Sequence, residues 1–128
     1  MQVRGAKSWS WIPVKPQAER EGKVRLIQII PKRGYRLYGA IVQKEVELHK
    51  KRRGTFYRSG VKEKDVAKWA HMTYNGWIWI KRGLGEVVVA ELRTLSSTED
   101  EWQLFHAFMG FLDRHFADKI EAINIQYF

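Results

Sequence analysis

The run Thr98-Glu99-Asp100-Glu101-Trp102-Gln103-Leu104-Phe105-His106-Ala107-Phe108-Met109-Gly110-Phe111-Leu112-Asp113-Arg114-His115-Phe116 sets the architecture. Thr98 with Glu101 three residues on forms a capping-box pair, and acids crowd the first turn, where the positive end of a helix dipole favours them. At about 100° per residue, Trp102, Phe105, Met109, Leu112 and Phe116 line one stripe, and Leu104, Phe108 and Phe111 line a second beside it. Together they cover nearly half the circumference, leaving Gln103, His106, Asp113 and Arg114 for the other face. A stripe that wide exceeds what one flat sheet covers. Either the sheet curls around the helix, or the second stripe meets another subunit.

Upstream, Tyr74-Asn75-Gly76-Trp77 is the strongest hairpin signal, because a type I′ turn needs two positive φ values and Asn-Gly accepts both. Trp77-Ile78-Trp79-Ile80 follows as a strand, Lys81 to Gly85 turns, and Glu86 to Arg93 is a valine-rich strand. Nearer the start, residues 23–30 read as a strand, and Pro31-Lys32-Arg33-Gly34 as a turn. The alternation of Val42, Val46 and Leu48 with Gln43, Glu45, Glu47 and His49 predicts a long strand over residues 35–49. Lys50-Lys51-Arg52-Arg53-Gly54 is the next turn, and Thr55 to Arg58 starts the return strand. Residues 59–72 read as a short helix, with Ser59 as cap and Val61, Asp65, Val66, Trp69 and Ala70 at helical spacing. Ile120 to Phe128 closes the chain as a strand with Ile123, Ile125 and Tyr127 on one face.

Residues 1–22 form an irregular lead-in in which Trp9 and Trp11 suit a short edge strand. The expected fold is therefore a single α+β domain over residues 1–128. It has a mainly antiparallel, curled sheet of five to seven strands, one long C-terminal helix packed on it, and a final strand after the helix.

Composition narrows the functional classes. The chain has 128 residues, 23 Lys+Arg against 14 Asp+Glu, and a net charge of +9. With no cysteine, disulfide scaffolds, Cys-ligated metals and thiol nucleophiles are excluded. The N-terminus lacks an apolar run behind its charges, and Val87-Val88-Val89-Ala90 is far too short to span a bilayer. No membrane attachment and a cytoplasmic location are the expectations. Catalytic patterns are missing: Ser8, Ser10, Ser59, Ser96 and Ser97 lie in no nucleophile elbow, and His49, His71, His106 and His115 are dispersed. His106 and His115 sit nine residues apart, on opposite sides of the helix, so they do not share a metal within it. Gly83-Leu84-Gly85 lies between two strands, which makes it a hairpin turn rather than a phosphate loop. Neither a metal nor a cofactor is expected. An enzyme would have to assemble its residues from distant strands.

The cations carry the functional expectation. Residues 1–94 hold 21 Lys/Arg against 8 Asp/Glu, and residues 95–128 hold 2 against 6. Lys50, Lys51, Arg52 and Arg53 cluster in one turn with Arg58 just beyond, and Lys62, Lys64 and Lys68 follow. Turns joining successive strands alternate between sheet ends, so Lys32-Arg33 should lie at the end opposite this cluster. Trp77 and Trp79 share a strand face beside Lys81 and Arg82, an arrangement suited to base stacking if that face is open. A non-enzymatic basic domain that binds nucleic acid through phosphate contacts is the leading expectation. The alternative is a self-associating protein, a homodimer through Leu104, Phe108 and Phe111, with a small-ligand pocket between helix and sheet.

Overall fold

The computed structural model describes residues 23–60, 63–94 and 98–127. The lead-in with Trp9 and Trp11, and Lys62, lie outside them. In chain order the elements are β1 (Lys23–Pro31), α1 (Leu37–Lys50), β2 (Phe56–Arg58), β3 (Val66–His71), β4 (Trp77–Arg82), β5 (Val88–Thr94), α2 (Thr98–Phe116) and β6 (Ile120–Tyr127). The six strands form one open, fully antiparallel sheet in the order β2-β3-β4-β5-β1-β6. This is the expected α+β class, with the long helix and the final strand as read.

Two elements exchange their predicted types. Residues 35–49 are largely helical, and the stretch called a short helix is strand β3. In α1 the buried side chains are Leu37, Tyr38, Ile41 and Glu45, a helical spacing that places an acid on the packed face. In β3 the inward side chains are Ala67, Trp69 and His71, opposite Ile80, Ile78 and Phe56 across the two ladders. The β3–β4 hairpin also departs from the Asn-Gly expectation. Its connection is longer than two residues, and Gly76 (φ 120°) alone among residues 72–76 has positive φ. His71 Nδ1 accepts the backbone N–H groups of Thr73 (3.0 Å) and Tyr74 (3.3 Å), which organises the loop.

Both helices pack on one sheet face around a single core. Ile27, Ile29, Ile78, Ile80, Val88 and Leu92 supply the sheet side, all fully buried. Leu104, Phe108 and Phe111 supply the helix side, at 0%, 0% and 3% exposure. Apart from Trp102, which is 55% exposed instead of packed, the wide stripe on α2 is thus occupied by the chain's own core, where the Phe111 ring stands edge-on to Trp69 at 5.3 Å. Leu104, Phe108 and Phe111 therefore offer no surface to a second copy. Arg25 fastens the start of α2 to β1: its Nε lies 2.7 Å from Glu101 Oε2, and its guanidinium covers the Phe105 ring at 4.0 Å.

Four antiparallel steps separate β1 from β2, so the two strands run the same way. Helix α1 carries the chain back from the end of β1 to the start of β2. Lys32-Arg33 and the cluster of residues 50–53 consequently sit at opposite ends of the sheet, as expected, although a helix makes the return rather than a strand.

Candidate nucleic-acid interface

Lys50, Lys51, Arg52 and Arg53 emerge where α1 stops. The negative end of the helix dipole suits cations there, and His49 and Lys50 occupy the last turn. The helix closes with paired backbone bonds, Arg52 N–H to His49 O (3.0 Å) and Arg53 N–H to Leu48 O (2.9 Å). These are the two bonds of a Schellman cap, and Arg52 takes its left-handed position with φ 55°. A position that ordinarily favours glycine therefore carries a charged side chain. Lys50, Lys51, Arg52 and Arg53 are all exposed, and no acid among the described residues forms an ion pair with them.

Four other cations are paired with acids, whereas Lys32, Arg33, Arg36, Lys64, Lys81, Arg114 and Lys119 are exposed without an ion-pair partner among the described residues. Arg82 turns inward, not toward the Trp face, and lies 2.8 Å from both Asp65 and Glu86. Arg93 pairs with Glu91, Arg25 with Glu101, and Lys44 with Glu47. Arg58 is half-buried on the inner side of β2, facing the region of Glu45 and Tyr38.

The outer sheet face holds the aromatic part. Trp77 and Trp79 are half-buried there, and Lys68 Nζ stands 5.0 and 4.8 Å from their ring centres. Lys81 is exposed on the same face. Register aligns Tyr57, Ala70 and Trp77 in one cross-strand row, with small Ala70 between the two aromatics. Tyr57 also lines a shallow groove with His49, Lys50 and Arg58. The groove, lined also by Glu45 and Val46, runs from Lys50 at the end of α1 to Tyr57, the edge-strand member of the aromatic row. Tyr57 is not among the residues singled out from the sequence, and Lys68 is named there only as one of the cations that follow the cluster. The period-2 pattern of β3 would have placed Lys68 beside the Trp pair, had that stretch been read as strand.

Beside the cap lies a cleft of about 230 Å³ between the C-terminal half of α1, the loop into β2, and α2. Its walls are Leu48, Phe56 and Phe111, with Arg53 and Arg114 as cations and Glu45 and His115 as titratable groups. Burial pushes the Glu45 carboxyl above its ordinary range, while Arg58 and His49 act in the opposite sense. Burial pulls the His115 imidazole down, and Lys44 and Arg114 add to that shift. Glu45, Arg114 and His115 were invisible as a group in the sequence, because they come together only when α1 is a helix packed near α2. Among the described residues no cluster of three or more His, Asp or Glu side chains is placed to hold a metal, and no helix is long and apolar enough to cross a membrane. Comparison with known protein families, curated proteins and solved structures finds no match to this chain.

Proposed function

We propose that the protein binds single-stranded nucleic acid, gripping phosphates with Lys50, Lys51, Arg52 and Arg53 and stacking bases along Tyr57, Trp77 and Trp79. One observation carries this: of four exposed cations without ion-pair partners among the described residues, Lys50 lines a groove with Tyr57, which shares a cross-strand row with the half-buried Trp77 on the outer sheet face. Phosphate contacts supply sequence-independent affinity through counterion release, and every base has a face to stack. A single strand suits this layout better than a duplex, whose bases are already stacked on one another.

Fluorescence anisotropy with a labelled single-stranded oligonucleotide tests the proposal. Binding should be tight at low salt and weaken steeply toward physiological salt. Each phosphate contact contributes a slope of about −0.7 in log affinity against log salt, so four contacts give roughly −3. Absence of binding at low salt, or affinity indifferent to salt, would overturn it.

A further inference from the structure

The cleft beside the α1 cap is lined by an acid from the packed face of α1. Glu45 is 4% exposed, lines the cleft, and has no hydrogen-bond or ion-pair partner among the described residues. Arg58 and His49 act on its charge from nearby, and the carboxylate keeps acceptor capacity for an occupant that supplies N–H or O–H donors. The surroundings restrict that occupant further. Arg53 and Arg114 line the same cleft, and Arg58 and His49 lie on the other side of Glu45. This positive ring repels a metal ion or an ammonium group. The occupant must therefore present donors to Glu45 yet be anionic overall. The walls formed by Phe56, Phe111 and Leu48 favour a flat apolar body. At about 230 Å³ the cleft is smaller than the roughly 300–1,000 Å³ of pockets that enclose a whole drug-sized ligand. It holds one ring system, with a charged appendage left at the rim.

A nucleotide unites these properties, and the donor pattern selects among the bases. Adenine and cytosine each pair one amino donor with a ring acceptor on the Watson–Crick edge. Uracil and thymine have a single N–H between two carbonyls. Guanine alone sets two donors side by side, N1–H and the N2 amino group, matching the two oxygens of one carboxylate. We infer that the cleft takes an unstacked guanine, with the Glu45 carboxylate on its N1–H and N2 amino group and its phosphate on Arg53 and Arg114. The inference rests on the nucleic-acid reading above and adds base selectivity to it. The sequence-independent contacts bring the strand to the protein, and the cleft fixes which nucleotide seats at the end of α1.

Calorimetric titration with guanosine, adenosine, cytidine and uridine 5′-monophosphates, and with inorganic phosphate, tests the pocket. The wild-type protein should prefer the guanine nucleotide by about tenfold or more, the discrimination of one bidentate pair. Glu45→Gln replaces one acceptor by a donor and should abolish the preference while leaving binding of inorganic phosphate unchanged. Arg114→Ala should weaken all nucleotides together and keep the preference. Circular dichroism of each variant establishes that it is folded. Equal affinity for all four nucleotides, affinity for phosphate alone equal to that for the guanine nucleotide, or a preference that survives in Glu45→Gln would each overturn the inference. If the oligonucleotide binds with a steep salt dependence but without guanine preference, only the pocket assignment fails. If no oligonucleotide binds at low salt, the underlying reading fails with it.

Discussion

Glu45 shows at the level of one side chain how function and stability oppose each other in this protein. Burial raises its folded-state pKa above the ordinary value of 4.5. The folded state thus holds this proton more tightly than the unfolded chain. Stability contributed by the protonated form is present below the ordinary value and is lost as pH rises through the raised one. Glu45→Gln removes that loss, so its melting temperature should exceed the wild type at pH 7 and match it near pH 3.5. A variant less stable than the wild type at pH 7 would show that the carboxylate is held by favourable contacts instead. Gly76 is a second single-residue test. A Cβ built there would lie 2.7 Å from Arg93 O and 2.7 Å from Thr94 Cγ2, at a φ of 120° that side chains rarely adopt. Gly76→Ala should therefore cost about 2–3 kcal/mol in urea unfolding, from overpacking and backbone strain together.

Elements explain both the α1 cap and the two reversed expectations. Arg52 occupies the left-handed cap position with φ 55°, where a non-glycine residue costs on the order of 1 kcal/mol. Arg52→Gly should raise the melting temperature by a few degrees and reduce the salt slope of oligonucleotide binding by about 0.7. The β3–β4 loop has its own titration. Burial lowers the pKa of His71, whose Nδ1 accepts two backbone N–H groups, so protonation at that nitrogen breaks both bonds. The loop's contribution is complete above the ordinary value of 6.5 and falls as pH drops through the lowered one. Protection factors of the Thr73 and Tyr74 amides, taken relative to intrinsic exchange at each pH, should fall accordingly on acidification. The strongly patterned elements were legible from local signals alone: the long α2 stripe, the alternation of Trp77 to Ile80, and Ile123 and Ile125 packed against the core, whereas Tyr127 beyond them is 71% exposed. The failure at α1 has a physical source in Glu45. An acid on the packed face breaks the helical stripe, and the remaining residues from 42 to 49 then alternate like a strand. Where pattern and structure part company in this way, a residue kept for a purpose other than packing is a reasonable cause. In β3, Val66, Trp69 and Ala70 fit a helix locally, but the following hairpin needs a strand partner for β4. Only that non-local demand resolves the choice.

Across the whole molecule, exposed cations without ion-pair partners among the described residues include, besides those of the α1 cap, Lys32, Arg33, Arg36, Lys64, Lys81, Arg114 and Lys119, so the cap is the densest cluster and not the sole one. Inward or sheet-face cations such as Arg25, Arg82 and Arg93 are paired with acids, whereas the four at the α1 cap are exposed and unpaired among the described residues. The sequence revealed that cluster and the Trp pair. It did not reveal that Tyr57 and the groove with Lys50 connect them, because the connection depends on the register of β2 and β3. The homodimer expectation loses its basis at the same scale, since the second α2 stripe belongs to the core. The indole resonances of this protein report most directly on the central claim. In a two-dimensional NMR titration with a short single-stranded oligonucleotide, the Trp77 and Trp79 indole N–H signals and the amides of Lys50 to Arg53 should shift together. The fully buried Trp69 should stay in place. Shifts confined to other surfaces, or a bound complex that leaves Trp77, Trp79 and the α1 cap unmoved, would contradict the account.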